Sequence, residues 1–126
     1  MDKRTTIELI KILGKEGVLS APEDLAVYSY DGTFAEHDPD VVVLPNSIPQ
    51  ISQLLRFANQ EQIPVVTRGM GSGLAAASVP FHGGIVLSMT RMNRILEIDE
   101  SNATVKAESG VITADLQTAV EKRGLF

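Results

Sequence analysis

Three glycines spaced two residues apart are the residues with the clearest chemical potential in this sequence. Gly69, Gly71 and Gly73 stand in the segment from Pro64 to Leu74, directly after a short β-branched run. Glycine permits positive φ and close backbone approach, so successive N–H groups can converge into a concave site for an anion. The pattern predicts a loop that binds a diphosphate, with a dinucleotide as its ligand. A glycine-rich surface turn without a ligand is the alternative.

The residues around these glycines argue against two common phosphate loops. A P-loop requires a Lys directly after its last glycine, and no Lys follows Gly73. A Rossmann fingerprint requires a third glycine three residues after Gly71, where Leu74 stands, and Pro80 interrupts the run that follows. We therefore expect neither Walker-type nucleotide binding nor a Rossmann NAD site.

Composition and charge limit the remaining classes of function. The chain has 126 residues, 44% of them hydrophobic and 5% aromatic, which is typical of one domain with an aliphatic α/β core. A net charge of −5 disfavours binding to nucleic acid or to anionic membranes. The sequence has no cysteine and no apolar run long enough to span a membrane, so we expect a cytoplasmic protein. His37 and His82 have no second ligand at metal spacing, and no metal site is expected.

The first half of the sequence predicts the elements that lead into the glycine loop. A capping box of Thr5 and Glu8 predicts a helix of about ten residues that ends near Gly17. Turn-forming residues indicate an irregular arm over 20–39. Residues 41–44 read as a buried strand, and a second capping box, Ser47 with Gln50, begins an amphipathic helix.

After this helix, residues 65–67 read as a strand, which completes a β–α–β unit over 41–67. The glycine loop then follows the carboxyl end of a parallel strand, where such sheets usually bind ligands. Residues 85–87 predict another buried strand. Residues 95–98 and 103–107 predict a hairpin whose second strand alternates between buried and exposed side chains.

The sequence ends in a predicted helix with the apolar stripe of Ile112, Leu116, Ala119 and Val120. Thr113 is its expected cap and Gly124 its expected end. Together these elements predict an α/β (α+β) fold, a small β–α–β lobe whose few-stranded parallel or mixed sheet is flanked by helices. We expect 1–40 to form the helix and arm and 41–126 to form the lobe itself.

Four motifs occur in the order found in one family of flavoproteins. They are Pro64-Val-Val-Thr-Arg-Gly-Met-Gly-Ser-Gly-Leu, Gly83-Gly-Ile-Val-Leu, Arg91-Met-Asn-Arg-Ile-Leu-Glu-Ile-Asp and Glu108-Ser-Gly-Val. Together they resemble the N-terminal half of the FAD-binding domain of the vanillyl-alcohol oxidase/p-cresol methylhydroxylase superfamily. Within this superfamily, the residues of the four motifs are most similar to those of glycolate oxidase catalytic (D) subunits and D-lactate dehydrogenases.

The resemblance implies that backbone amides of the glycine loop hold the FAD pyrophosphate. The residues that it assigns to cofactor binding are Arg68, Gly69, Met70, Gly71, Ser72, Gly73 and Leu74, with Ser78 lining the same crevice. Some relatives attach flavin through a His in this loop. No His lies between Arg68 and Leu74, so non-covalent FAD is expected.

For other residues the resemblance leaves two interpretations open. Arg68 would either offset pyrophosphate charge or pair with a carboxylate that shapes the loop, and the second role is favoured. Tyr28, Tyr30 and Asp31 would either lie near the isoalloxazine ring or anchor the core, and core anchoring is favoured. The core is expected to contain Met70, Met89 and Met92 as filling side chains. The alternative for Met70 is that it packs beside the adenosine. No residue of the chain is assigned a catalytic role.

The function implied is that of the FAD-binding lobe of a flavin-dependent 2-hydroxyacid oxidoreductase, inactive on its own. The alternative is a non-catalytic truncated or split module that needs another polypeptide to complete a flavin site. Relatives continue into a second lobe and a substrate-capping domain, so this chain is expected to be an excised domain, a truncated gene product or half of a split protein. The partners implied are that C-terminal lobe, a second copy of the chain, or iron–sulfur and accessory oxidase subunits.

Overall fold

A computed structural model describes residues Met1–Phe126. The four helices are α1 (Lys3–Leu13), α2 (Pro22–Val27), α3 (Ile48–Gln60) and α4 (Thr113–Glu121), with a 3-10 turn at Lys15–Gly17. The strands are β1 (Val18–Leu19), β2 (Val41–Val43), β3 (Val65–Arg68), β4 (Ile85–Ser88), β5 (Ile95–Asp99) and β6 (Thr104–Ala107). The predicted mixed α/β fold is confirmed.

The main sheet has the strand order β1-β2-β4-β3. β2, β4 and β3 are parallel, and β1 runs antiparallel to β2 at one edge. The β–α–β unit predicted over 41–67 is present as β2, α3 and β3. Its two strands are separated by β4, since Val86 lies between Val42 and Val66 in register.

Gly84 explains why β4 fits between the other two parallel strands. Its φ is +78°, and a Cβ atom there would lie 2.3 Å from the carbonyl oxygen of Pro64. The Gly84 N–H donates to the Asp40 carboxylate at 2.7 Å, and the next N–H, of Ile85, donates to Pro64 at 2.8 Å. Only glycine allows the chain to approach this closely before β4 begins.

The core lies between the main sheet and the helices α1 and α3. Ten buried side chains from both layers form one cluster: Leu9, Leu13, Val41, Val43, Leu54, Ala58, Ile85, Leu87, Met89 and Met92. Complete burial of one aliphatic side chain of this size contributes about 1.5–3 kcal/mol, so this cluster dominates the stability of the fold. The expectation that Met89 and Met92 fill the core is confirmed.

Neither predicted capping box forms. Asp2, not Thr5, caps α1, because its carboxylate accepts a hydrogen bond from the Thr5 N–H at 2.7 Å. The helix then ends at Leu13, where the left-handed Gly14 follows, before the predicted Gly17. At α3, Ser47 is the cap residue but its hydroxyl makes no capping bond.

Pro49 in the first turn of α3 removes one of the two N–H groups that the Ser47 hydroxyl could bond. The N–H of Gln50 is still present, so proline does not explain the missing bond. The Gln50 side chain accepts instead from the N–H of Asn46 at 2.9 Å, one residue before the expected partner.

The segment predicted as an irregular arm contains a helix, α2. The start of α2 is favoured by Pro22 at its first position and by Glu23 and Asp24 in its first turn. The prediction missed this helix because it rested on the many turn-forming residues of the segment. Residues before position 40 also join the main sheet through β1 and the core through α1. The division of the chain at residue 40 stays a prediction.

The hairpin of β5 and β6 is present, but the predicted alternation is wrong. All four residues of β6 are exposed, and no second layer covers either of its faces. α4 is likewise without a fully buried residue, and its cap is Ile112, with Thr113 as the first helical residue. Gly124 ends this region in the left-handed conformation, as predicted. None of the helices combines the length and apolar character needed to span a bilayer.

Candidate functional site

The glycine loop begins where β3 ends, at Arg68. β3 and β4 are parallel and paired up to Arg68 and Ser88, so the loop leaves the sheet at its carboxyl edge. Residues 69–77 form no helix or strand. Gly71 has φ +73° and Ala76 has φ +55°, so the backbone takes a left-handed φ at two positions within this loop.

The backbone N–H groups of the loop have no partner within the chain. None of the N–H groups of residues 69–77 donates a hydrogen bond to a backbone or side-chain acceptor. The loop is largely exposed, including the side chains of Met70 at 67% and Leu74 at 82%. A run of free, accessible backbone donors with a left-handed glycine in its middle is the arrangement that binds anions.

Arg68 lies beneath this loop and is 93% buried. Its Nη1 donates to the carbonyl oxygens of Tyr28 at 3.1 Å and Tyr30 at 2.8 Å, and its Nη2 makes a long contact of 3.4 Å with the carbonyl of Met70. The guanidinium also lies over the Tyr28 ring, 5.2 Å from its centroid. The structural role expected for Arg68 is therefore carried by carbonyl groups, because Arg68 forms no ion pair with a carboxylate.

Gly71 packs directly on that guanidinium. A Cβ atom at Gly71 would lie only 1.7 Å from Nη2 of Arg68. The left-handed φ and this contact both require glycine here. The buried Nε of Arg68 has no hydrogen-bond partner, so part of its donor capacity is unused beside the loop.

Residues 28–33, which we call the arm segment, form the second wall of the site. The N–H of Gly32 donates to the carbonyl oxygen of Gly73 at 2.9 Å. A Cβ atom at Gly32 would lie 2.8 Å from that same oxygen and 2.9 Å from a methyl group of Leu74. The arm segment and the glycine loop are therefore in backbone contact, with no room for a side chain between them.

Asp31 is buried in the arm segment next to the glycine loop. One carboxylate oxygen accepts from the hydroxyl of Thr33 at 2.7 Å and from its N–H at 2.9 Å. These bonds lower the pKa of Asp31, with smaller contributions from the Ser78 N–H and the positive charge of Arg68. The hydrogen bonds from Thr33 thus stabilise the charged carboxylate and fix the turn, and a carboxylate with a lowered pKa is a weaker base than a free one.

Two depressions mark the surface around the sheet. A small one of about 180 Å³ lies at the glycine loop and is lined by Val27, Tyr28, Tyr30, Arg68, Gly69, Met70, Gly71 and Thr90. A larger groove of about 510 Å³ lies between the start of α3 and the β5–β6 hairpin. The larger groove touches none of the residues assigned to cofactor binding, so we place the candidate site at the smaller one.

The structure brings all of the predicted site residues together. Residues 69–74 are contiguous, Arg68 supports them from below, and the Ser78 hydroxyl lies 3.9 Å from where a Gly73 Cβ would be. Met70 does not fill the core, because it is exposed in the loop. Tyr30 is 51% exposed, so the expectation that it anchors the core is wrong.

Gly32 was not among the predicted site residues. Its only sequence signal is the Asp31-Gly-Thr33 turn, which does not indicate which loop the turn contacts. His37 and His82 are exposed loop residues, and no group of three or more potential ligand side chains could hold a metal ion.

Comparison with known proteins gives a consistent picture. A family model described as an FAD binding domain matches residues 39–126. Glycolate oxidase subunit GlcD of Bacillus subtilis is 41% identical over 120 residues, which are 94% of this chain and 26% of that protein. D-2-hydroxyglutarate dehydrogenase of Stutzerimonas stutzeri is 38% identical over 123 residues, 95% of this chain and 26% of that protein. The chain spans about a quarter of the length of these relatives.

Solved structures share the fold. 4-Ethylphenol oxidase from Gulosibacter chungangensis superimposes with a TM-score of 0.82 at 28% identity, covering 97% of this chain and 24% of that one. p-Cresol methylhydroxylase superimposes with a TM-score of 0.83 at 23% identity, covering 97% of this chain and 25% of that one. The second match supports the fold alone.

Proposed function

Because the chain belongs to the FAD-binding domain family whose model it matches over residues 39–126, we propose that its glycine loop holds the diphosphate of FAD through backbone amides. The resemblance stated from the sequence motifs is confirmed at the level of this family. We further propose that the chain is the FAD-binding lobe of a flavin-dependent 2-hydroxyacid oxidoreductase. The names of the relatives support this class, since they are a glycolate oxidase subunit and a D-2-hydroxyglutarate dehydrogenase.

The free N–H groups of residues 69–77 are the observation that carries this proposal. A diphosphate needs several donors that converge, and a net charge of −5 provides no general attraction for an anion. Attraction must therefore be local. The guanidinium of Arg68, directly behind Gly71, supplies positive charge at the loop without occupying its outer surface.

This chain's residues would bind and orient the cofactor, and the reacting groups would come from elsewhere. A bound flavin supplies the acceptor for a hydride from the α-carbon of a hydroxyacid. Asp31 is the carboxylate beside the loop, and its lowered pKa makes it a weak base, so we do not assign it the role of a general base. We assign no catalytic residue. The loop contains no His, which supports non-covalent binding.

A second candidate function is a non-catalytic module that completes a flavin site with another polypeptide. Large apolar side chains exposed on the surface favour it, among them Phe34, Leu74 and Ile48. Contiguous exposed apolar patches often mark a surface that another chain covers, and Ile48 belongs to such a patch, the larger groove that Ile51 and Leu96 also line. The partner proposed is a second lobe. Further candidates for the partner are a second copy of the chain and the accessory subunits that the family resemblance implies. The cytoplasmic location stays a prediction.

FAD titration followed by flavin fluorescence or calorimetry tests the proposal, with Gly71→Ala and Gly14→Ala as a matched pair. Both glycines are left-handed, with φ +73° and +79°, but a Cβ at Gly14 meets nothing within 4 Å. We expect saturable binding by the wild type and by Gly14→Ala, and binding at least about tenfold weaker in Gly71→Ala. Equal affinity in the two variants would contradict the loop site. No binding by a folded wild-type chain would favour the second candidate.

A further inference from the structure

Two carbonyl groups of the glycine loop are held by groups beneath and beside it. The Gly73 carbonyl accepts from the Gly32 N–H at 2.9 Å. The Met70 carbonyl faces Nη2 of Arg68 at 3.4 Å, and the same nitrogen lies so close to the Gly71 α-carbon that no Cβ fits. Both contacts fix the direction of a peptide plane in a loop that has no regular secondary structure.

A fixed carbonyl also fixes the N–H of the next residue. All peptide bonds of the chain are trans, so the C=O of one residue and the N–H of the following residue point in opposite directions. When the Met70 carbonyl points toward Arg68, the Gly71 N–H points away from it. When the Gly73 carbonyl points toward Gly32, the Leu74 N–H points away from the arm segment.

We propose that the N–H groups of Gly71 and Leu74 are the two donors that meet the diphosphate, and that Arg68 and Gly32 are positioning residues that orient them. The inference rests on the proposed function and adds which amides act and what sets their direction. Each positioning residue controls one donor, Arg68 that of Gly71 and Gly32 that of Leu74.

Arg68 acts through the backbone because its guanidinium is already committed. It is 93% buried, and its Nη1 donates to two carbonyl groups of the arm segment, of Tyr28 and Tyr30. Only a planar guanidinium reaches three carbonyl oxygens from one position, since a lysine ammonium is a single compact donor on a flexible stem. A role in charge alone would be preserved by lysine, whereas a role in positioning would not.

The test follows amide resonances of the isotope-labelled 126-residue chain during titration with ADP, and with AMP as a probe that lacks the diphosphate. In the wild type we expect ADP to shift the N–H signals of Gly71 and Leu74 most, and AMP to shift them far less. Gly32→Ala should lose the Leu74 shift and keep that of Gly71. Arg68→Lys should do the reverse. Each variant should bind ADP and FAD at least about tenfold more weakly than wild type.

Gly14→Ala is the control for a general loss of stability, because it strains a glycine remote from the loop. It should keep both shifts. If Gly32→Ala does not fold, Arg68→Lys alone tests the inference. The inference is overturned if Arg68→Lys loses the ADP-induced shifts of both Gly71 and Leu74, or if it loses neither. Wild-type binding through other amides also overturns it and leaves the proposed function standing. A folded wild type that binds neither ADP nor FAD overturns both.

Discussion

Asp31 shows how one residue links the candidate site to stability. Its carboxylate accepts two hydrogen bonds from Thr33, and these are the main reason that its pKa lies below the ordinary value. The pKa values of Asp2, Asp99 and Glu108 are lowered in the same way, by hydrogen bonds from Thr5, Asn102 and Arg94. A carboxyl group with a lowered pKa in the folded state stabilises that state only while it is charged.

We therefore predict that acid destabilises the chain and that Asp31→Asn reduces this effect. The contribution of Asp31 is complete above its unfolded pKa of about 4 and is lost as the pH falls through the lower folded value. The variant should be less stable than wild type near pH 7, and the difference should shrink by about pH 3. Urea unfolding at several pH values measures this. Asp38→Asn is the control, since Asp38 is exposed and its carboxylate makes no hydrogen bond. A constant difference between wild type and Asp31→Asn would contradict the prediction.

At the residue scale, the sequence could predict the glycine loop because its signal is local. Gly69, Gly71 and Gly73 lie within five positions, and their effect on the backbone depends on little else. The roles of Gly32 and Tyr28 could not be predicted, because they come from contacts across about 40 residues of chain, such as Arg68 to Tyr28. Nothing in either segment alone indicates that contact.

At the scale of helices and strands, local pattern likewise predicts some features, whereas tertiary contacts determine others. The cores of α1, α3, β2 and β4 follow from hydrophobic pattern, whereas the starts of α1 and α3 depend on single side chains such as Asp2 and Pro49. The place of β4 between β2 and β3 depends on Gly84 and the Pro64 carbonyl, a tertiary contact. The exposure of β6 could not be read from its alternation, because alternation shows which faces differ and not whether a layer covers either face.

Gly110 joins the hairpin to the main sheet, and we predict that Gly110→Ala destabilises the chain by about 2–3 kcal/mol. Its N–H donates to Met92 at 2.8 Å, and a Cβ would lie 1.9 Å from the Met89 carbonyl oxygen and 2.7 Å from that of Met92. Backbone must move to admit the methyl group, so the cost is larger than conformational strain alone.

Gly14→Ala serves again as the comparison for Gly110→Ala, with an expected cost of about 1 kcal/mol from left-handed strain in open space. Denaturant midpoints of both variants and the wild type measure the two losses. Equal losses would show that the packing against Met89 and Met92 is not what requires glycine.

The two-stranded sheet should open far more readily than the main sheet. β6 is wholly exposed, whereas every residue of β2 and β4 is buried. An isolated pair of strands is marginally stable in water, and local opening follows burial. We predict amide hydrogen exchange in β5 and β6 about 100-fold faster than in β2 and β4, measured in the native state. Uniform protection across both sheets would show that the hairpin unfolds only with the core.

Across the whole molecule, one short segment separates the candidate site from the larger groove. Met89 donates its N–H to the Arg68 carbonyl at 2.9 Å, which ties the end of β4 to the start of the glycine loop. Thr90 lines the small depression at that loop, whereas Met89 and Met92 line the groove. The segment 89–92 thus borders two different surfaces, one with free backbone donors and one that is mainly apolar.

The groove is the surface at which the molecule as a whole should bind apolar compounds. Ile48 and Leu96 stand at its sides with exposures of 73% and 51%, and the groove has a volume of about 510 Å³. Apolar patches of this kind bind dyes such as ANS, whereas scattered apolar residues do not. We predict that Ile48→Gln with Leu96→Gln lowers ANS fluorescence severalfold and changes stability by less than about 1 kcal/mol, because both side chains are already in water.

Ile7→Gln is the matched control for this groove, since Ile7 is 53% exposed but does not line it. It should leave ANS fluorescence and FAD binding as in the wild type. The double variant should likewise bind FAD as the wild type does, because no residue of the groove belongs to the glycine loop. Unchanged ANS fluorescence in the double variant would place the apolar binding surface elsewhere, with Phe34 and Leu74 as the next side chains to replace.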